Sequence, residues 1–311
     1  MTLLTQKIAI IDLGTNTFHL LVAERTSGKF NIVYEEKLPA KIGAGGINQG
    51  LITAEAIERA ISVLKSYRQT VDDMGITEVL AFGTSAIRSA KNREEVVAKI
   101  AAATGFSVKV ISGDEEASYI YKGVRAAVSL GHQKSLIVDI GGGSVEFIIA
   151  NESEVFWKQS FEIGGQRLLE QFQKHDPILP DEVVALHLYL SAQLQPLLVA
   201  LKEHKPKTLV GSSGTFDTLS EIHCCRNGIV FEPMPEIPLT LQAIEEIYEE
   251  LLLKNRAERL SIPGMIELRV DMIVVACALL DFLLESHSFE KVRVSSYSLK
   301  EGVLQELSTQ F

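Results

Sequence analysis

Leu136-Ile137-Val138-Asp139-Ile140-Gly141-Gly142-Gly143-Ser144-Val145-Glu146-Phe147-Ile148-Ile149-Ala150 is the stretch from which the fold can be read. An apolar run from Ser135 to Asp139 meets a glycine-rich turn, and a second apolar run, Phe147 to Ala150, follows it. Short apolar runs on either side of a turn signal read as two buried strands joined tightly. The chain opens in the same way. Lys7 to Gly14 (KIAIIDLG) is strand-like, Thr15-Asn16-Thr17 is a polar turn, and Phe18 to Ala23 is a second apolar run. Strand, Asp, turn and strand therefore occur twice, with Asp12 and Asp139 in corresponding places. Repetition of a whole supersecondary unit at long spacing implies a duplicated domain. The expectation is two similar α/β halves, 1–128 and 129–311, facing each other across a cleft into which both turns point. The last helix is free to pack back on the first half.

Between these hairpins the pattern alternates as in α/β domains. Thr53 to Asp73 has helical periodicity, with Ile57, Ile61, Leu64 and Tyr67 on one face. Glu78–Phe82 and Ser107–Ile111 read as strands. Arg93–Thr104, stopped by Gly105, and Asp114–Ala127 read as helices. Leu130–Lys134 reads as the link between halves. Further on, helices are expected over Gln166–Lys174, Asp181–Glu203, Leu241–Lys254, Val270–Ser286 and Leu299–Thr309, and strands over Thr208–Val210 and Val292–Val294.

At 311 residues and 46% hydrophobic, the chain has material for two cores. No apolar run approaches the ~18 residues that span a bilayer, and Met1–Lys7 is too short and polar for a secretory signal. The three cysteines, Cys224, Cys225 and Cys277, have neither zinc spacing nor a favourable disulfide pair, which fits a reducing cytoplasm. A net charge of −10 argues against a nucleic-acid duplex as partner. A small polyanion remains possible if local N–H donors and basic groups oppose the global field.

Four turn segments and two basic residues outside them can carry chemistry. The turn Gly14-Thr15-Asn16-Thr17 after Asp12 can aim N–H groups and hydroxyls at phosphate oxygens, or it is an ordinary hairpin turn. It is neither a Walker loop nor a dinucleotide fingerprint, because no Gly-Lys-Ser/Thr and no helix follow. Three consecutive glycines, Gly141, Gly142 and Gly143 before Ser144, cost backbone entropy and make sense where a ligand approaches the main chain closely. Asp139 and Glu146 flank that turn and can help hold Mg²⁺, mostly through water; Asp12 is added as their counterpart in the first turn. Gly211 to Thr215 lies between a strand and a helix starting near Phe216. Gly214 and Thr215 there form either an anion site or an N-cap loop. In Ser112-Gly113-Asp114-Glu115-Glu116, Ser112 and Glu115 match a capping box, which leaves Glu116 either as one more first-turn acid or as a general base in the cleft. Arg88 is equally a phosphate clamp or a surface arginine, and Lys41 is a weaker candidate for the clamp. His19 reads as a packed strand residue.

Taken in order, IDLGTNTFHLLVAE, FGTSAIRSAKN, ISGDEEASYIYKGV, LIVDIGGGSVEFIIA, IGGQRLLEQF, VGSSGTFDTLSE, RLSIPG, RVDMIVVACALL and SLKEGVLQE resemble the exopolyphosphatase / guanosine pentaphosphate phosphatase family, in its short form. That family belongs to the actin / Hsp70 / sugar-kinase, ribonuclease H-like fold group. The resemblance implies a Mg²⁺-dependent, often dimeric phosphoanhydride hydrolase acting on inorganic polyphosphate or guanosine pentaphosphate. It implies Glu116 as catalytic base, Arg88 as phosphate ligand, and Asp139 and Glu146 as the groups associated with magnesium and the attacking water. Backbone N–H groups of Gly14–Thr17 and Gly141–Ser144 are implied as the phosphate cradle. Ser298 and Lys300 stand where the family usually has Gly and Arg, and Ala276 where Gly is common; these departures concern contacts to the distal part of the substrate. Two rivals share the fold: a non-catalytic nucleotide or alarmone sensor, which needs no general base, and a kinase, which needs an acceptor-side Asp that has no match here.

Overall fold

Both apolar hairpins form, and their period of two decides which side chains meet. In the computed structural model, which describes residues 6–26, 29–230 and 234–309, the chain folds as an α/β protein with two mixed sheets. β1 (Gln6–Leu13), β2 (Thr17–Thr26) and β3 (Lys29–Pro39) make an antiparallel meander. After α1 (Ala54–Asp73), β4 (Glu78–Gly83) joins β1 in parallel. The short α2 (Ser85–Ser89) and α3 (Arg93–Thr104) then lead to β5 (Val108–Val110), parallel to β4, and α4 (Gly113–Ala127) follows.

The plan is then repeated. β6 (Ser135–Ile140), β7 (Val145–Ala150) and β8 (Val155–Phe161) form the second meander. α5 (Gly165–Phe172), α6 (Pro180–Gln193) and α7 (Gln195–His204) precede β9 (Thr208–Ser212), which is parallel to β6. After α8 (Gly214–Asn227) come β10 (Glu236–Ile237), α9 (Leu241–Leu253), α10 (Arg256–Leu260), α11 (Ile273–Ser286), β11 (Lys291–Ser295) and α12 (Leu299–Thr309). The first sheet is ordered β3-β2-β1-β4-β5. The second reads β8-β7-β6-β9-β11 with matching strand directions, and β10 is added antiparallel at its edge. This is the duplicated, actin-like arrangement.

Strands with both faces covered read as continuous apolar runs, and these do. Ala9, Ile11 and Leu13 of β1 join Phe18, Leu20 and Val22 of β2 in a core under α1 and α3. The alternate residues Ile8, Ile10, Leu21 and Ala23 face the other way. They meet α4, α12 and the inward residues Ile137, Ile148 and Val210 of the second sheet. A third core lies on the far side of the second sheet, against α5 to α9 and α11. The helices α4 and α12 thus form a central layer shared by both sheets.

Two close approaches fix that layer. A Cβ on Gly302 would lie 1.8 Å from the Tyr119 carbonyl oxygen, and one on Gly123 would lie 2.0 Å from the Ser298 carbonyl. Backbone cannot yield as a flexible side chain does, so Gly302→Ala is expected to cost ~3 kcal/mol or more, at or above the usual overpacking range. Thermal unfolding of the purified variant should show a fall in Tm of roughly 4–5 °C or more; an unchanged Tm would mean that the helices separate freely.

One expected helix, Asp181–Glu203, is two. α6 ends at Gln193 and α7 starts at Gln195, with a bend of 68°. Pro196 has no N–H to donate to Ala192, and its ring crowds the preceding turn. Among the described residues no single helix is long and apolar enough to cross a membrane.

Candidate active site

Strand alternation also delivers the acids. Asp12 shares a face with Ile8 and Ile10, and Asp139 shares one with Ile137; each therefore points to the inner side of its sheet. In the ladders Asp12 lies opposite His19, and Asp139 lies opposite Glu146. All four line one cavity between the sheets, together with Gly14, Thr15, Asn16, Thr17, Gly141, Gly142, Gly143, Ser144 and Glu116. His19, expected as a packed strand residue, is thus a cavity residue. Burial and the nearby Lys300 hold its imidazole well below its ordinary pKa, so it is neutral.

The two turns are built alike. A Cβ on Gly14 would meet the Thr17 carbonyl at 2.7 Å, and one on Gly141 would meet the Ser144 carbonyl at 3.0 Å. Gly142 and Gly143 are required for a different reason from ligand approach: the turns interlock. A Cβ on Gly143 would sit 2.4 Å from both Thr15 Oγ1 and Ser85 Oγ, and one on Gly142 would sit 3.1 Å from Asn16. The carbonyls of Gly141, Gly142 and Gly143 accept from Gly165, Gln166 and Gly164 N–H groups at 2.9, 2.8 and 3.1 Å. Main-chain acceptors are thereby committed to the start of α5, and the Gly141 N–H is committed to the Ser144 carbonyl at 3.0 Å, so the N–H groups the turn has to offer an anion are those of Gly142, Gly143 and Ser144.

The capping box resolves the two neighbouring glutamates. Ser112 N–H donates to Glu115 Oε2 at 2.9 Å, and Glu115 N–H donates to Ser112 Oγ at 3.1 Å. Glu115 therefore faces outward, toward Lys109. Glu116, one position on, is 8% exposed and lines the cavity. Arg88 Nη1 donates to Glu116 Oε2 at 2.6 Å, while Arg88 Nη2 meets Glu162 Oε1 at 2.9 Å. Burial raises Glu116 to about 7 against the opposing pull of Arg88. Burial and the charges of Glu116 and Asp139 raise Asp12 to about 8. Glu146, 1% exposed, is pushed well up by burial and by Glu116 and Asp139. Asp139 is raised by burial, although Ser298 and Ser212 hydroxyls donate to it.

Four convergent carboxylates, with Asp12 Oδ1 buried and lacking any hydrogen-bond partner among the described residues, form a hard-oxygen donor set of the kind a divalent cation takes. Not every candidate converges. Lys41 is exposed and lines a neighbouring depression with Asn16 and Thr17. Thr215 lines a small recess behind Gly141 and Gly142, and Gly214 packs under Arg269, where a Cβ would meet the guanidinium at 2.0 Å.

Three charged residues join the site that sequence reasoning did not single out. Arg269 lines the cavity, and burial lowers the pKa of its guanidinium despite Asp217 and Asp139. Glu162 accepts from Arg88, Ser85 and Arg167. Arg167, buried, forks from the Gly143 carbonyl at 2.8 Å to the Ile47 carbonyl at 2.9 Å and Ser89 Oγ at 2.8 Å, tying the two halves together. The available signal was that Arg167 and Arg269 lie inside the stretches IGGQR and RVDMIV.

The sequence profile of the Ppx/GppA phosphatase family matches residues 21–311, and the chain belongs to that family. It is 30% identical over 299 residues to the guanosine-5'-triphosphate,3'-diphosphate pyrophosphatase of Vibrio cholerae. That alignment covers 96% of this chain and 59% of the relative, so the chain spans little more than half of the Vibrio protein. Among solved structures, an exopolyphosphatase from Cytophaga hutchinsonii superposes with a TM-score of 0.95 at 43% identity, covering 98% of both chains. The Aquifex aeolicus member of the Ppx/GppA family superposes with a TM-score of 0.76 at 28% identity, again over 98% of both.

Proposed function

We propose that the chain is a Mg²⁺-dependent phosphoanhydride hydrolase that releases terminal phosphate from inorganic polyphosphate, guanosine pentaphosphate or both. The observation that carries this reading is Glu116: a buried carboxyl raised to about 7, on the floor of a cavity framed by two N–H-presenting turns. A sensor needs no such group, whereas a general base works best with a pKa near the operating pH.

On this reading the turns Gly14–Thr17 and Gly141–Ser144 hold phosphate oxygens by their N–H groups. Asp139, Glu146 and Asp12 are the residues that would hold Mg²⁺, which when bound neutralises charge on the phosphoryl oxygens and binds the water. Glu116 takes the proton from the water as its oxygen attacks the terminal phosphorus; the bond from that phosphorus to the bridging oxygen breaks, and the shortened phosphate chain leaves with the electron pair on that oxygen. Arg88 moves its fork from Glu162 and Glu116 toward the phosphoryl group as charge develops there. That transfer has a second effect. Arg88 pulls the Glu116 pKa down, so drawing the guanidinium onto substrate makes Glu116 a stronger base. Names borne by the relatives support both substrate classes.

The test is phosphate release from long-chain polyphosphate, guanosine pentaphosphate and ATP in the presence of Mg²⁺. Release from either of the first two supports the hydrolase and names its substrate; tight binding of all three without release would leave only the sensor. Arg269 adds a finer expectation. A half-buried guanidinium that has no carboxylate in hydrogen-bonding contact among the described residues suits a non-reacting phosphate, so Arg269→Met should raise KM ~10-fold or more, the worth of one charged hydrogen bond. The pH midpoint of the rate should stay in place; a shift would put Arg269 next to the base instead.

A further inference from the structure

The outer face of the second half carries a group of charged side chains unconnected with the cleft. His187 on α6 faces Asp281 and Glu285 on α11. One ligand atom from each lies within 4.8 Å of the others, the one such group of three among the described residues. His187 Nε2 is 3.1 Å from the Ala278 carbonyl oxygen. A carbonyl only accepts, so Nε2 carries the hydrogen and Nδ1 presents its lone pair. A ring nitrogen held by a backbone carbonyl while the other stays free is the usual orientation of a metal-binding imidazole. Nδ1 lies 3.8 Å from Glu285 Oε2, and Nε2 lies 3.7 Å from Asp281 Oδ2. The first separation is too long for a hydrogen bond and close to the spacing of two donors around one cation.

The carboxylates lack a permanent counter-charge. Asp281 and Glu285 are one helical turn apart, a spacing at which like charges repel. Among the described residues, the only ion-pair partner of either is His187. Beside them a depression is lined by Glu245, Glu249 and Tyr248. Tyr248 is 6% exposed and its hydroxyl, buried there near Asp281, has no hydrogen-bond partner among the described residues. A hydroxyl orphaned beside clustered carboxylates is what a water shell around a bound ion would satisfy.

We propose that His187, Asp281 and Glu285 form a second cation site, for a divalent first-row transition metal, on the α6–α11 face and independent of the cleft. One imidazole with two carboxylates favours Zn²⁺ or Mn²⁺ over the all-oxygen preference of Mg²⁺. Water fills the remaining positions, and Tyr248 donates to one of those waters.

Calorimetric titration of Zn²⁺ into the full chain in excess Mg²⁺ tests this. Wild type should take up one Zn²⁺ that Mg²⁺ does not displace. His187→Ala and Asp281→Asn should each weaken that uptake by ~10-fold or more, as loss of a ligand is at least as costly as loss of its support. Asp139→Asn and Cys225→Ser, which alter the cleft and the exposed thiol, should leave it intact. Zn²⁺ should raise Tm in wild type and not in His187→Ala, because binding to the folded state stabilises it. Far-UV circular dichroism confirms that each variant is folded. The proposal is overturned if wild type binds no such ion, if His187→Ala binds it unchanged, or if Asp139→Asn or Cys225→Ser abolishes it.

Discussion

Glu116→Gln is expected to lower kcat by ~10²–10⁴-fold, the usual contribution of a positioned general base. Glutamine keeps the shape and can still accept from Arg88, so KM should change little and the fold should survive. The pH profile carries the sharper signature. A base must be deprotonated to act, and Glu116 titrates at about 7. The wild-type rate should therefore climb between about pH 6 and 8 and then level off, and in Glu116→Gln the residual rate should lose that climb. The same ionisation opposes folding. A carboxyl whose folded pKa is raised stabilises the protein fully below its unfolded value and loses that contribution as pH rises through the folded one. With Asp12 at about 8 and Glu116 at about 7, the metal-free protein should melt at lower temperature at pH 8 than at pH 5. A variant that retains most of its turnover would remove Glu116 from the chemistry.

Arg88→Met should lower kcat/KM by ~10²–10³-fold, the range for losing one preorganised donor to a reacting oxyanion. It should also displace the pH midpoint upward, because the guanidinium that lowers the Glu116 pKa is gone. Stability should fall less than the loss of a buried ion pair normally costs: Glu116, left alone, can take up a proton near pH 7. Arg88→Lys should restore much of the midpoint and little of the rate, since a point charge repels the proton but lacks the fork that spans Glu116 and Glu162. Rate profiles of the three proteins across pH separate these effects. An unmoved midpoint in the kcat/KM profile of Arg88→Met would mean that the 2.6 Å contact with Glu116 is absent in the free enzyme.

The legible part of the sequence was the part governed by local rules. Buried strands announced β1, β2, β6 and β7, and the repeated Asp-turn unit announced the duplication. The edge strands β3 and β8 did not stand out, because FNIVYEEKL and VFWKQSF interleave charged and apolar residues on half-exposed surfaces. Helix α2 is five residues long, too short for a period. Pro196 was a visible breaker that an otherwise unbroken helical pattern masked. Within the site, Glu116 and Arg88 each had two readings locally; spacing cannot tell which face of α4 looks into a cleft made by residues 20 or more positions away. Glu162, Arg167 and Arg269 were hidden for the same reason: their partners come from the other half or from distant loops.

The shared layer of α4 and α12 bears on how separable the two repeats are. Ile120 and Val124 of α4, with Val303 and Leu304 of α12, close the inner faces of both sheets at once. A polypeptide cut between residues 128 and 129 would give two fragments, each with one open core: the first lacking α12, the second lacking α4. Neither fragment alone should reach a stable native state, whereas the pair mixed should reassociate and recover a single cooperative unfolding transition. The repeat visible in the sequence is thus a record of ancestry rather than a seam along which the molecule comes apart.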